Sequence, residues 1–164
     1  MVTTASPLDA LDARLLNALA VTPRAGILEL ARRLGVARGT VQARLDKLTT
    51  RGVVRGFGPD VDLAAIGYEV EAFTTLEIAQ GRLDDVIAHL VAIPEVLEAH
   101  SISGPGDLHC RVVARTNAHL QHVLNRILDV DGIGRSSTVI ALSNPLPHRT
   151  LPLVGSAATA PDAG

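Results

Sequence analysis

The stretch Ile27 to Leu48, ILELARRLGVARGTVQARLDKL, decides how the first third of the chain folds and what the rest is attached to. Ile27, Leu28, Leu30, Ala31 and Leu34 recur at helical spacing, so a first short helix has one apolar face, with Glu29, Arg32 and Arg33 outward. Gly35 supplies the left-handed residue that stops it. In a second helix Val41, Leu45 and Leu48 form the buried stripe. Arg38, Gly39, Gln42 and Ala43 are left outward, with Arg44 and Lys47 at the flanks. That surface is small, polar and basic. Such a helix fits a DNA major groove, where Arg pairs with guanine and Gln with adenine. An ordinary helical hairpin with a solvated face shows the same pattern.

Upstream, Asp9 is placed to cap another helix whose stripe is Leu8, Leu11, Leu15, Leu16 and Leu19, and Asp12 sits favourably against its positive end. Thr22-Pro23 ends it, because the residue before proline avoids helical dihedrals. Three helices then share one small core. Downstream, TTRGVVRGFGPDVDL is punctuated by Gly52, Gly56, Gly58 and Pro59 around Val53, Val54, Phe57 and Val61, which predicts a short hairpin or wing. Arg51 and Arg55 lie there, within reach of phosphates that position a protein without reading sequence.

From residue 68 the period changes. YEVEAFTTLEIA alternates as a strand, with Val70, Ala72, Thr74, Leu76 and Ile78 on one side. RLDDVIAHLVAIP has helical spacing, VLEAHSIS and LHCRVVART are strands parted by Gly104-Pro105-Gly106-Asp107, NAHLQHVLNRILDVDG is a helix, and RSSTVIAL is the last strand. The order βαββαβ is the ferredoxin-like unit, one antiparallel sheet with both helices on one face. The other face is expected to stay bare and partly apolar, as at an oligomer interface. The expected class is therefore α+β. Residues 1–58 form a (winged) helix-turn-helix DNA-binding domain and 59–67 a linker. Residues 68–150 form a ferredoxin-like domain, and 151–164 an extended or disordered tail.

With 164 residues, 47% of them hydrophobic and 20% charged, the chain is globular rather than disordered. Its net charge of −2 argues against nucleic acid until the chain is divided. Residues 1–58 hold nine basic and four acidic side chains, net +5, and the remainder six basic and thirteen acidic, net −7. A basic binding module is joined to an acidic partner. The single Cys110 makes no intramolecular disulfide, and MVTTASPLDALDARLL lacks a basic, apolar leader, so a soluble cytoplasmic protein with no membrane association is expected.

Taken together, LDALDARLLNAL, ELARRLGVARGTVQARLDKL and RGVVRGFGPDVDLAAIG resemble the amino-terminal half of the Lrp/AsnC family of bacterial transcriptional regulators, and the βαββαβ segment resembles that family's effector-binding and oligomerising domain. The resemblance spans about Leu8 to Leu142. It implies sequence-specific binding to double-stranded DNA, homodimers assembling to higher oligomers, control by a small amino acid or related metabolite, and no catalytic residue or cofactor. The DNA-contacting candidates are Arg38, Gly39, Thr40, Gln42, Arg44, Lys47, Arg51 and Arg55. The effector candidates are Gly104, Gly106 and Asp107, where glycines let backbone approach and Asp107 accepts from an ammonium, with Ser136 and Thr138 matching hydroxyl positions in the family. A strand-joining turn in which Asp107 bonds its own backbone is the plainer reading of that loop. Two departures stand out. Ala37 replaces the Ser that usually opens the recognition helix, and Gly106 takes the place of an aromatic, which is expected to leave room for a larger effector side chain.

Other chemistries are less well served. His119 and His122 have a metal-compatible i, i+3 spacing, but no third acidic or sulfur ligand accompanies them, so no metal is expected. No nucleophile elbow or phosphate-cradling loop is present. An RNA-recognition sheet needs aromatic platforms, and Leu108 to Thr116 has none. Siroheme decarboxylases resemble the same two-domain arrangement and are the enzyme alternative, although a decarboxylase has no reason to keep a domain at +5. A metabolite-binding adaptor that has lost DNA binding is a third reading, resting on Ala37.

Overall fold

A computed structural model describes residues 8–159. Its elements are α1 (Ala10–Val21), α2 (Ile27–Leu34), α3 (Arg38–Thr50), β1 (Val70–Ile78), α4 (Leu83–Val91), β2 (Val96–Ser101), β3 (Leu108–Ala114), α5 (Asn117–Leu128), β4 (Ile133–Ile140) and α6 (Leu151–Thr159). There are two compact units. One joins the chain up to Pro59 to the segment from Pro147 onward, and the other is Asp60–Leu146.

In the helical unit, Asp9 Oδ1 accepts from the backbone N–H groups of Leu11 and Asp12, both at 2.8 Å, while the Asp12 carboxylate accepts from Asp9 N–H at 3.3 Å. This reciprocal capping box starts α1. Gly35, at φ 69° and ψ 36°, ends α2 and lets Val36 N–H donate to the Ala31 carbonyl at 3.1 Å. Leu15, Leu30, Ala31, Leu34, Val41 and Leu48 close the core. Leu28 does not join them. It is 53% exposed, because the stripe of this eight-residue helix runs through positions 27, 30, 31 and 34.

The expected wing is absent. No strand lies between α3 and β1, and Gly52 at φ 72° instead ends α3 in a Schellman turn. Val53 N–H donates to the Leu48 carbonyl and Gly52 N–H to that of Thr49, each at 2.9 Å. These donors are therefore spent on α3, and Val54 packs on the helical core.

The expected extended tail is also corrected, as Leu151–Thr159 is helical and packs on α1. Pro152 falls in the first turn, where a missing N–H costs nothing, but Gly155 weakens the helix. Nine residues of this kind hold a helix only through tertiary contact, and Val154 and Ala158 are half-buried in it. Residues 160–164 lie outside the described residues. Deleting 147–164 is expected to lower the melting midpoint of the helical unit by about 4–8 °C, the equivalent of about 1 kcal/mol, and to leave the sheet unit unchanged. Calorimetry resolving two transitions would show it. Equal shifts in both would contradict the docking of α6 on α1.

The second unit is the expected ferredoxin-like fold. Its sheet runs β2-β3-β1-β4, with every neighbouring pair antiparallel. Ala72, Leu76, Leu108, Cys110, Val112 and Ala114 face Val86 and Leu90 of α4 and Leu120, Val123 and Ile127 of α5. The opposite face is mixed: Phe73, Val113 and Val139 share it with charged residues, so it is partly apolar as expected but not bare. Arg111 bonds Glu71 and, at 3.2 Å, Glu98, while Phe73 stacks on His109 with centroids 5.6 Å apart. The alternate positions of β1 are Glu71, Phe73, Thr75 and Glu77, so the pleat that buries Ala72 and Leu76 turns a mostly polar set outward.

Candidate nucleic-acid interface and effector cleft

The helix-turn-helix presents one face of α3. Arg38, Gly39, Thr40, Gln42 and Lys47 are exposed, while Val41 and Leu48 are buried beneath them. Ala37 occupies the N-cap position with extended backbone; its carbonyl accepts from Thr40 N–H at 3.0 Å, but no side-chain cap meets the N–H groups of Arg38 and Gly39. Such an end attracts phosphate. Gln42 Nε2 donates to Asp46 Oδ1 at 2.8 Å, one turn on. Asp46 was not in the sequence-derived set, although its i, i+4 relation to Gln42 places it on the same face. Among the described residues Arg24, Arg32, Arg38, Lys47 and Arg55 have no ion pair. Arg33 is paired to Glu29 at 2.6 Å, and Arg14 donates to the Leu34 carbonyl at 2.9 Å.

Arg44 behaves differently from the other candidates. Its Nη1 contacts Asp9 Oδ2 and, at 2.8 Å, Asp12 Oδ1, so the guanidinium lies against the start of α1. Arg44, and then the Asp12 backbone N–H, hold the Asp9 carboxyl below the usual carboxylate range. Arg51 is half-buried at the end of α3, and Arg55 is exposed beyond it.

In the sheet unit the loop between β2 and β3 closes on β1. Gly104 and Gly106 have φ of 125° and 89°. Asp107 N–H donates to the Leu76 carbonyl at 2.8 Å, and Asp107 Oδ2 accepts from Ile78 N–H at 2.6 Å, where the β1–β4 register shifts. The carboxylate thus satisfies a backbone donor freed by the bulge. A cleft of about 170 Å³ beside this loop is lined by Thr75, Glu77, Pro105, Gly106, Arg135, Ser136 and Ser137. Of the five expected effector residues it brings together Gly106 and Ser136. Asp107 is engaged by β1, and Thr138 is turned to Thr74, Oγ1 to Oγ1 at 3.0 Å.

Glu77 and Arg135, 4.0 Å apart across the cleft, were not foreseen. Their pairing across β1 and β4 depends on register, which no local pattern shows. The room expected from the missing aromatic is not there. A Cβ on Gly106 would lie 2.4 Å from Thr75 Cγ2 and 3.2 Å from the Leu76 carbonyl oxygen, so β1 already fills that space. Elsewhere, burial pushes the Cys110 thiol up to about 11, leaving it protonated and unreactive at neutral pH.

Residues 8–49 match the family model described as the AsnC-type helix-turn-helix domain, and residues 71–151 that of the Lrp/AsnC ligand binding domain. The chain is 33% identical over 141 residues to the regulatory protein AsnC of Escherichia coli K12, covering 85% of this chain and 93% of that protein. It is 34% identical over 139 residues to the transcriptional regulator Rv2324 of Mycobacterium tuberculosis, covering 84% and 93%. The solved structure of E. coli AsnC superposes with a TM-score of 0.83 at 31% identity, covering 90% of this chain and all of that one. A feast or famine regulatory protein of M. tuberculosis, solved in complex with L-methionine, gives 0.78 at 30% identity over 87% of this chain and 97% of its own.

Proposed function

This chain belongs to the Lrp/AsnC family of transcriptional regulators, and from that premise we propose that it is a cytoplasmic, dimeric regulator whose DNA binding responds to an amino acid. The relatives are named as regulators and not as enzymes, so the decarboxylase reading has no support. Among the described residues no helix is long and apolar enough to cross a membrane. On the DNA side, Arg38, Gly39, Thr40 and Gln42 meet base edges, and Asp46 adds an acceptor for a cytosine amino group. Lys47, Arg51 and Arg55 meet phosphates. Pairing with a second copy is supported by the free edge of β4, where Val139 is 61% and Ile140 49% exposed, with Leu142 at 99% just beyond.

The effector reading rests on the cleft, in which a carboxylate and a guanidinium face each other beside a glycine backbone. Those are the partners for the ammonium and carboxylate of a zwitterion. The solved M. tuberculosis relative complexed with L-methionine supports the same ligand class. Titrating the full chain calorimetrically with each of the twenty amino acids is the test. At least one is expected to bind, and Glu77→Gln and Arg135→Gln are each expected to weaken it by about tenfold or more. Asp107→Ala is expected to lower the melting temperature instead, since it strands Ile78 N–H. No heat and no melting shift at millimolar concentration would sink the effector reading.

A further inference from the structure

We propose that Arg44 is a positioning residue for DNA recognition. It ties α3 to the start of α1 through Asp9 and Asp12, and so sets how the first turn of α3 is presented, without touching DNA itself. The inference rests on the reading of α3 as the groove-binding helix. Spacing alone places Arg44 at the flank of that helix, where a phosphate contact is the obvious role. The structure spends its guanidinium elsewhere. Its partners lie 32 and 35 residues away in sequence, and the side chain is 30% exposed against 7% for Asp12.

Charge decides between the two roles. Two carboxylates surround one guanidinium, so the triad is net negative and repels an approaching phosphate. Withdrawing Arg44 toward DNA also strands Asp12, whose remaining bond is the Asp9 N–H at 3.3 Å, and an unpaired buried carboxylate costs more than one exposed phosphate contact returns. The same geometry explains why α3 tolerates an N-cap that cannot cap. Its orientation is held from the side, by a charge-assisted bridge to a helix whose own start is fixed by the capping box.

The experiment selects a preferred duplex from a random-sequence library with the full chain, then measures affinity for that duplex and for random-sequence duplex across salt. Wild type, Arg44→Lys, Arg44→Ala and Asp12→Asn are compared. A positioning role predicts that Arg44→Lys, which keeps the charge but cannot span both carboxylates, lowers the preference for the selected duplex by about tenfold, while the slope of log K against log salt stays at the wild-type value. Asp12→Asn is expected to lower the same preference, although deleting an acid should by charge alone tighten binding to both duplexes. Combining Arg44→Lys with Asp12→Asn is expected to add little, because both break one linkage. A slope reduced by about two, one for each copy, in Arg44→Ala, with equal loss on both duplexes and no loss in Arg44→Lys, would overturn the proposal in favour of a phosphate contact. If Asp12→Asn or Arg44→Ala fails to fold, Arg44→Lys alone decides. Wild-type protein that selects no duplex would overturn both this role and the groove-binding reading of α3.

Discussion

DNA affinity is expected to fall by about a thousandfold or more between about 50 and 200 mM salt, because two copies bring roughly six phosphate contacts and each releases condensed counterions. The sources on each copy are Lys47, Arg51 and Arg55, all in the helical unit; the opposing charge of the sheet unit keeps it off the polyanion. Within that total, Arg38→Ala and Gln42→Ala are each expected to cost about 1–3 kcal/mol on the preferred duplex and to relax base choice. Arg55→Ala should weaken all sequences alike and lower the salt slope by about two, one for each copy. Gln42 must first give up its bond to Asp46, so Asp46→Ala is expected to change which base is preferred at that position more than it changes affinity. Filter binding across salt, on preferred and random duplexes, checks every arm. Equal losses for Arg38, Gln42 and Arg55 variants on both duplexes would remove the division into readers and anchors.

Restoring a side chain at position 106 is expected to cost the sheet unit about 3 kcal/mol for alanine, a drop of roughly 10 °C or more, and further stability for phenylalanine. Two effects add. The backbone there has φ of 89°, which L side chains rarely adopt, and the new Cβ would meet Thr75 Cγ2 at 2.4 Å and the Leu76 carbonyl at 3.2 Å. Thr75 has little freedom to turn away, since its Oγ1 bonds His109 Nδ1 at 3.0 Å and that ring stacks on Phe73. The Leu76 carbonyl is held by Asp107 N–H. Thermal unfolding of Gly106→Ala and Gly106→Phe measures the cost. A phenylalanine variant as stable as wild type would mean that the loop shifts to take a ring, and that this glycine is not required by the backbone.

What is set within about four residues of a given position was legible in the chain. The stripes of α1, α3 and α5, the alternation of β1, the cap at Asp9 and the left-handed stop at Gly35 all follow from side chains meeting neighbours one turn or one pleat away, and these place the recognition face and the order βαββαβ. The rest came from contacts between elements far apart in the chain. Arg44 has the same local pattern as a DNA contact until α1 brings Asp9 and Asp12 to it. Asp107 looks like an open ligand carboxylate until a bulge in β1 frees the Ile78 N–H, and Glu77 meets Arg135 only through the β1–β4 register. The segment at 151–159 has too short and too poor a helix sequence to form one alone, and becomes helical because α1 offers it a surface. In each case the deciding partner is distant in sequence, and an ion pair, a stray N–H or an apolar surface carries no period by which the chain could announce it.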